Sequence, residues 1–229
     1  MRKNKNPETV LFVVLLFVTA CLCSVDDDYW CLHGCDCSSL QDMIDCSNSQ
    51  YSAVPGRDMT APHIKILNLA NNSVSHLDLV HLSQWSNLQV LNLSSNKVKY
   101  VEKYTEDFSP LESLKILDLS RNSLQVLHSS VFLGLPSLQT LNLSHNQIHT
   151  VSEGAFVLPS LVVLDISHNH ISEAQIHLFG SSPHIEVINF SYNRLSRLLG
   201  KTIVMKTLID FASRDLTGNP GSKSFKIDV

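Results

Sequence analysis

Glycine is scarce in this 229-residue chain, with only eight. None opens a phosphate-cradling loop, and none begins a G-x-S-x-G nucleophile turn. No H-E-x-x-H zinc motif occurs. Serine, histidine and aspartate are scattered rather than gathered by any motif, so the chain does not read as an enzyme. Basic charge is also in short supply, with 17 Lys and Arg against 21 Asp and Glu. Without the first 23 residues, 14 basic and 20 acidic residues remain, a net charge near −6. A strongly basic nucleic-acid face is therefore not implied. Long apolar runs are limited to Val10–Cys23. At about 1.5 Å per residue that run spans roughly 21 Å, short of the roughly 30 Å hydrocarbon core.

That run follows Arg2, Lys3 and Lys5 and ends near the small residues Ala20 and Ser24. This is the pattern of a cleaved secretory signal over residues 1–23, with an uncleaved signal anchor as the rival. Of six cysteines, Cys21 and Cys23 would leave with the signal. Cys31, Cys35, Cys37 and Cys46 remain, and an even set behind a signal reads as disulfides. Four cysteines allow three pairings, and spacing alone does not choose among them. A zinc site is the alternative use of four thiolates.

What the chain has in abundance is one repeated phrase. "LQTLNLSHNQI", Leu138 to Ile148, has the form L-x-x-L-x-L-x-x-N-x-L, and six segments fit it. Their ninth-position asparagines are Asn72, Asn96, Asn122, Asn146, Asn169 and Asn193, and a degraded seventh copy ends at Asn219. Successive asparagines lie 24, 26, 24, 23, 24 and 26 residues apart. A kept phase over that length is the mark of a solenoid. The fourth and sixth positions alternate with polar neighbours, as a strand with one buried face requires. A second apolar group follows in several copies: Phe108 and Leu111, Phe132 and Leu135, Phe156 and Leu158. It would fill the core from the convex side. Each asparagine carries both a donor and an acceptor, so in register they can satisfy inward-turned backbone groups as a ladder.

These residues resemble the extracellular leucine-rich repeat family, typical 24-residue class, over about residues 29 to 219. The resemblance implies an α/β solenoid: a curved parallel β-sheet with irregular or short-helical segments on its convex side. It also implies an amino-terminal disulfide cap, residues 24–62, with Cys31 paired to Cys37 and Cys35 to Cys46. Six repeats would occupy residues 63–210. Residues 211–229 would be a degraded terminal repeat, and they lack the family's carboxy-terminal cysteines. An uncovered last edge is an association hazard, so self-association through that edge is one expectation. A cap without cysteines and a truncated product are the others.

The repeat register sorts the exposed face into rows. The third positions are Ile66, Val90, Ile116, Thr140, Val163 and Val187, an apolar stripe. The fifth are Asn68, Asn92, Asp118, Asn142, Asp165 and Asn189, too poor in carboxylates for a calcium site. The eighth are Asn71, Ser95, Arg121, His145, His168 and Tyr192. Arginine and tyrosine are favoured at contact hot spots, so Arg121, His145, His168 and Tyr192 are the candidate partner-binding residues, with His149 and His170 nearby. Sequons stand at Asn71, Asn92, Asn142 and Asn189, each a candidate glycan site. No cofactor and no metal is expected. The function expected is a secreted, extracellular module that binds a protein or glycan partner through its concave face, in adhesion, receptor–ligand signalling or innate recognition. A structural matrix protein and a fragment of a membrane receptor ectodomain are the alternatives.

Overall fold

A computed structural model of the chain describes residues 31–37, 42–56, 63–82, 85–102, 110–175, 182–195, 197–199, 213–215 and 217–220. The signal read at residues 1–23, Phe108 and Phe211 lie outside the described residues. Contacts cluster the chain into Met1–Cys31 and Leu32–Val229, and the solenoid is the second unit.

Its strands, in chain order, are β1 Met43–Asp45, β2 Ile66–Asn68, β3 Val90–Asn92, β4 Ile116–Asp118, β5 Val126–Leu127, β6 Thr140–Asn142, β7 Thr150–Val151, β8 Val163–Asp165, β9 Glu173–Gln175, β10 Val187–Asn189, β11 Arg197–Leu199 and β12 Ser213–Asp215. One sheet joins β1, β2, β3, β4, β6, β8, β10 and β12 in that order. Every pairing in it is parallel and in repeat register: Leu67 faces Leu91, Leu117 faces Leu141, and Leu164 faces Ile188. Such strands need a return path, and each coil supplies one. The period-two alternation turns the fourth-position side chain inward and leaves the third and fifth outside. Leu67, Leu91, Leu117, Leu141 and Leu164 are fully buried.

Among the described residues, helix is limited to one 3-10 turn, Val80–Leu82. The helical part of the expected α/β architecture shrinks to that turn, and the convex side takes the irregular form. Pro136 and Pro159 interrupt two of the return segments, and Gly154 turns with φ +73°, so a continuous helix is blocked there. Two short parallel pairs, β5 with β7 and β9 with β11, stitch neighbouring coils. Phe132, Leu135, Phe156 and Leu158 fill the core from this side, at 1% exposure or less.

The amino-terminal cap contains a strand that the repeat template does not reach. β1 pairs with β2 in the same register as the repeats, Ile44 opposite Leu67. Ile44 and Cys46 are fully buried, so a cysteine fills the core place that Leu69 and Leu93 fill later. Cys46 is joined to Cys35, and Cys31 and Cys37 are also disulfide-bonded. Buried Trp85 donates its indole N–H to the Pro55 carbonyl at 3.3 Å, tying the cap to the first coil.

Candidate functional site

The backbone around the ninth-position asparagines determines what the concave face can present. Asn122 shows the pattern. Its Nδ2 donates to the carbonyls of Leu119 and Ser120 in its own coil, at 3.1 Å each, and of Leu93 in the coil before, at 2.8 Å. Its Oδ1 accepts the Val98 N–H at 2.8 Å. The same links recur through Asn72, Asn96, Asn146, Asn169 and Asn193, and Asn219 bonds back to Leu195 and Phe190. All seven are buried. Each coil is therefore clamped to its predecessor by an amide that has no other way to be solvated.

The fifth row has a backbone task too. Asn68, Asn92, Asp118, Asn142, Asp165 and Asn189 each accept, through Oδ1, the N–H two residues on, at 2.8–3.1 Å. That is an Asx turn, which explains why only Asn and Asp occupy the row. Among the described residues no group of three His, Cys, Asp or Glu forms a metal cluster.

The turn that follows throws the eighth residue into left-handed backbone. Asn71, Ser95, Arg121, His145, His168 and Tyr192 have φ between 52° and 56°, and Gly218 takes the next place at φ 71°. Such a conformation costs a side-chain-bearing residue about 1–2 kcal/mol. Here it lets each N–H reach the seventh-position carbonyl of the following coil, as from Arg121 to Ser144 and His145 to Ser167. The enrichment of Asn and His at these places was a readable signal of left-handed backbone.

The register brings the four candidate contact residues into one exposed column. His145 and His168 stack with ring centroids 4.1 Å apart and planes 8° from parallel. His168 and Tyr192 stack at 4.4 Å and 10°. A Cβ on Gly218 would come within 2.5 Å of the Tyr192 ring, so glycine backbone closes the far end. Partial burial holds the His145 imidazole below its ordinary pKa, helped by His168 and Arg121, while Asp165 opposes them. His149 and His170 stand apart on the twelfth and tenth rows. Burial, with Arg194 and His149, lowers the His170 pKa as well. In the third row Ile116 is the most open, at 40% exposure. Of the sequons, Asn71 is exposed on the eighth row, and Asn92, Asn142 and Asn189 are half-buried in the fifth.

The family model described as leucine rich repeat matches residues 62–124 and 112–171. Together with the register and the clamped coils, this decides the family. The chain is a leucine-rich repeat protein. Among solved structures, a chain of the crystal structure of the TLR13–ssRNA13 complex superposes with a TM-score of 0.60 at 21% identity, over 75% of this chain and 28% of that one. This leucine-rich repeat chain thus spans less than a third of that neighbour's length, and the likeness concerns the fold. No curated protein matches it.

Proposed function

We propose that the chain is an extracellular recognition module that binds a protein partner along its concave sheet and the ascending edge carrying Arg121, His145, His168 and Tyr192. The single observation behind this reading is the stacked column itself. Four polar side chains stand in line, exposed, and none makes a side-chain hydrogen bond among the described residues. The apolar third row, open at Ile116, lies on the same face and gives a partner something to desolvate. Disulfides in the cap favour an oxidising compartment. The solved neighbour is in complex with ssRNA13. In this chain a net charge near −6 without residues 1–23 supports a protein partner instead. Glycans at all of Asn71, Asn92, Asn142 and Asn189 would leave the contact to a flank or to the glycan-free middle around Asp118 and Asp165.

The test is an extracellular interaction screen with the secreted chain, followed by Arg121→Glu and Tyr192→Ala. A partner whose binding weakens at least about tenfold in both variants supports the reading. Full binding by both moves the contact elsewhere. Saturable binding of single-stranded RNA that both variants lose would replace the protein partner by a nucleic acid.

A further inference from the structure

We infer that the column is read by its edges, and that its ligand is an oxyanion: the carboxylate of an acidic residue on a protein partner seated across His145 and His168 beside Arg121. This rests on the recognition reading above and names its chemistry.

The ring faces turned toward one another are unavailable. Centroid separations of 4.1 and 4.4 Å leave no gap into which another flat ring could slide. Beneath Tyr192 the Gly218 backbone lies so close that even a methyl group would collide. A sugar or a base therefore has no platform within the stack, although such surfaces are how aromatic side chains usually hold them. What remains exposed is a comb of edges: two imidazoles, one phenol and the Arg121 guanidinium.

Those edges are preorganised and unpaired. The backbone beneath each is tied to the next coil through its own N–H, and stacking restricts ring rotation. None of the four side chains has a hydrogen-bond partner among the described residues. The nearby acid that opposes the lowering of the His145 pKa, Asp165, is already engaged. Its Oδ1 accepts the Ser167 N–H at 2.9 Å, and its Oδ2 accepts the Asn189 amide at 3.2 Å. The carboxylate is thus held toward the sheet floor, leaving the comb without an internal acceptor.

Parallel rings about 4 Å apart place two N–H groups so that one anionic oxygen can accept both at about 2.8 Å. The second oxygen of a carboxylate then meets the Arg121 fork, whose planar donors suit that geometry. Partial burial, His168 stacked 4.1 Å away and Arg121 beside it all disfavour a proton on His145. An arriving anion relieves that repulsion, so binding takes up a proton and tightens as pH falls. Asp165 opposes the lowering of the His145 pKa.

The experiment uses the secreted chain with nitrogen-15-labelled histidine and hexaglutamate as probe, read by imidazole resonances at pH 6.0 and 7.5. Hexalysine and a sulfated oligosaccharide are the comparison probes. Saturable shifts of His145 and His168 with hexaglutamate, absent with hexalysine, are expected, and His149 and His170 stay in place. Affinity should fall several-fold from pH 6.0 to 7.5, and about tenfold or more in Arg121→Glu. His168→Gln should weaken binding while leaving the melting temperature in place. No shift at millimolar hexaglutamate overturns the inference, as does an unchanged Arg121→Glu variant. Saturation by the sulfated sugar alone overturns it in favour of a glycan. A protein partner lost by Arg121→Glu while hexaglutamate fails would sink only the carboxylate chemistry, leaving the recognition surface standing.

Discussion

Replacing Asn122 by alanine is the most informative single perturbation of the solenoid, because its consequences can be followed group by group. Four hydrogen bonds are lost. Three of the acceptors keep another donor: Leu93 O retains Asn96, Leu119 O retains Asn146, and Ser120 O retains the Ser95 N–H. The Val98 N–H does not, since Asn122 Oδ1 is its partner at 2.8 Å and Val98 is fully buried. One orphaned buried donor costs about 1–3 kcal/mol, and the weakened acceptors add to it. A value near 2 kcal/mol or above is expected, which in a domain of this size lowers the melting temperature by about 4–8 °C. Thermal unfolding followed by circular dichroism measures it, with exposed Lys99→Ala as a control expected within about 0.5 kcal/mol of the parent. Asn122→Asp separates the two halves of the amide, because it keeps the acceptor for Val98 but turns an oxygen toward three carbonyls. It should be at least as damaging at neutral pH and recover partly in acid, where the protonated carboxyl can donate. A melting point for Asn122→Ala within 1 °C of the parent would refute the reasoning.

The remaining predictions concern the cap, the column and the glycans. Replacing Cys35 and Cys46 together by serine should cost about 2–5 kcal/mol, read from denaturant unfolding, because a bridge and a buried core side chain go at once. Gly218→Ala forces φ +71° on a residue with a Cβ that strikes Tyr192. A loss of about 1–2 kcal/mol is expected, and the ring-current shift that Tyr192 imposes on His168 should disappear from the proton spectrum. The His145 titration midpoint should lie below the ordinary histidine value, since burial, His168 and Arg121 all disfavour its proton. The unfolded chain then binds that proton more tightly, so His145's contribution to stability is present above the unfolded pKa and declines as pH falls through it. His145→Gln should flatten that part of the pH dependence. Mass spectrometry of secreted protein should find Asn189 less occupied than Asn92 or Asn142, because only at Asn189 does a glycan displace an amide bond, the one to Asp165.

The strand pattern was legible because burial on one face of a strand imposes alternation, and the repeat period supplied the register between coils. Leu91 and Leu117 are neighbours for no other reason. The cap strand was hidden because its core residues are Ile44 and Cys46, and a cysteine at the sixth place reads first as a disulfide partner. The fifth row's role was also hidden. Asn92 and Asp118 look like surface chemistry until the N–H groups of Ser94 and Ser120 are seen to need acceptors. The phase made Arg121, His145, His168 and Tyr192 neighbours on paper. The residue types hinted at left-handed backbone, and Asn219 at the ninth place puts Gly218 in the same row, but the phase did not reveal that Gly218 closes against the Tyr192 ring. Stacking depends on side-chain rotation, which no spacing encodes.

These assignments narrow where specificity can reside. The fourth, sixth and ninth positions are committed to the core and to clamping coils. The fifth holds the Asx turn, and the seventh is small and buried in five coils, at Ala70, Ser120, Ser144, Ser167 and Ser191. A mutation at any of these changes folding before it changes recognition. The second, third, eighth, tenth and twelfth positions combine at least partial exposure with freedom of side-chain chemistry. Of these, the third is mostly β-branched, as a strand prefers, and a solvated tenth row makes a flank rather than a face. The eighth row is different, because its left-handed backbone penalises bulky residues and would be occupied at least cost by Gly or Asn. Arg121, His145, His168 and Tyr192 stand there in succession in spite of that cost. Restoring Asn at all four should therefore leave the fold as stable as before, or more so, while removing the partner. If that quadruple variant bound unchanged, the column would be a by-product of repeat grammar and the recognition surface would have to lie on the third row.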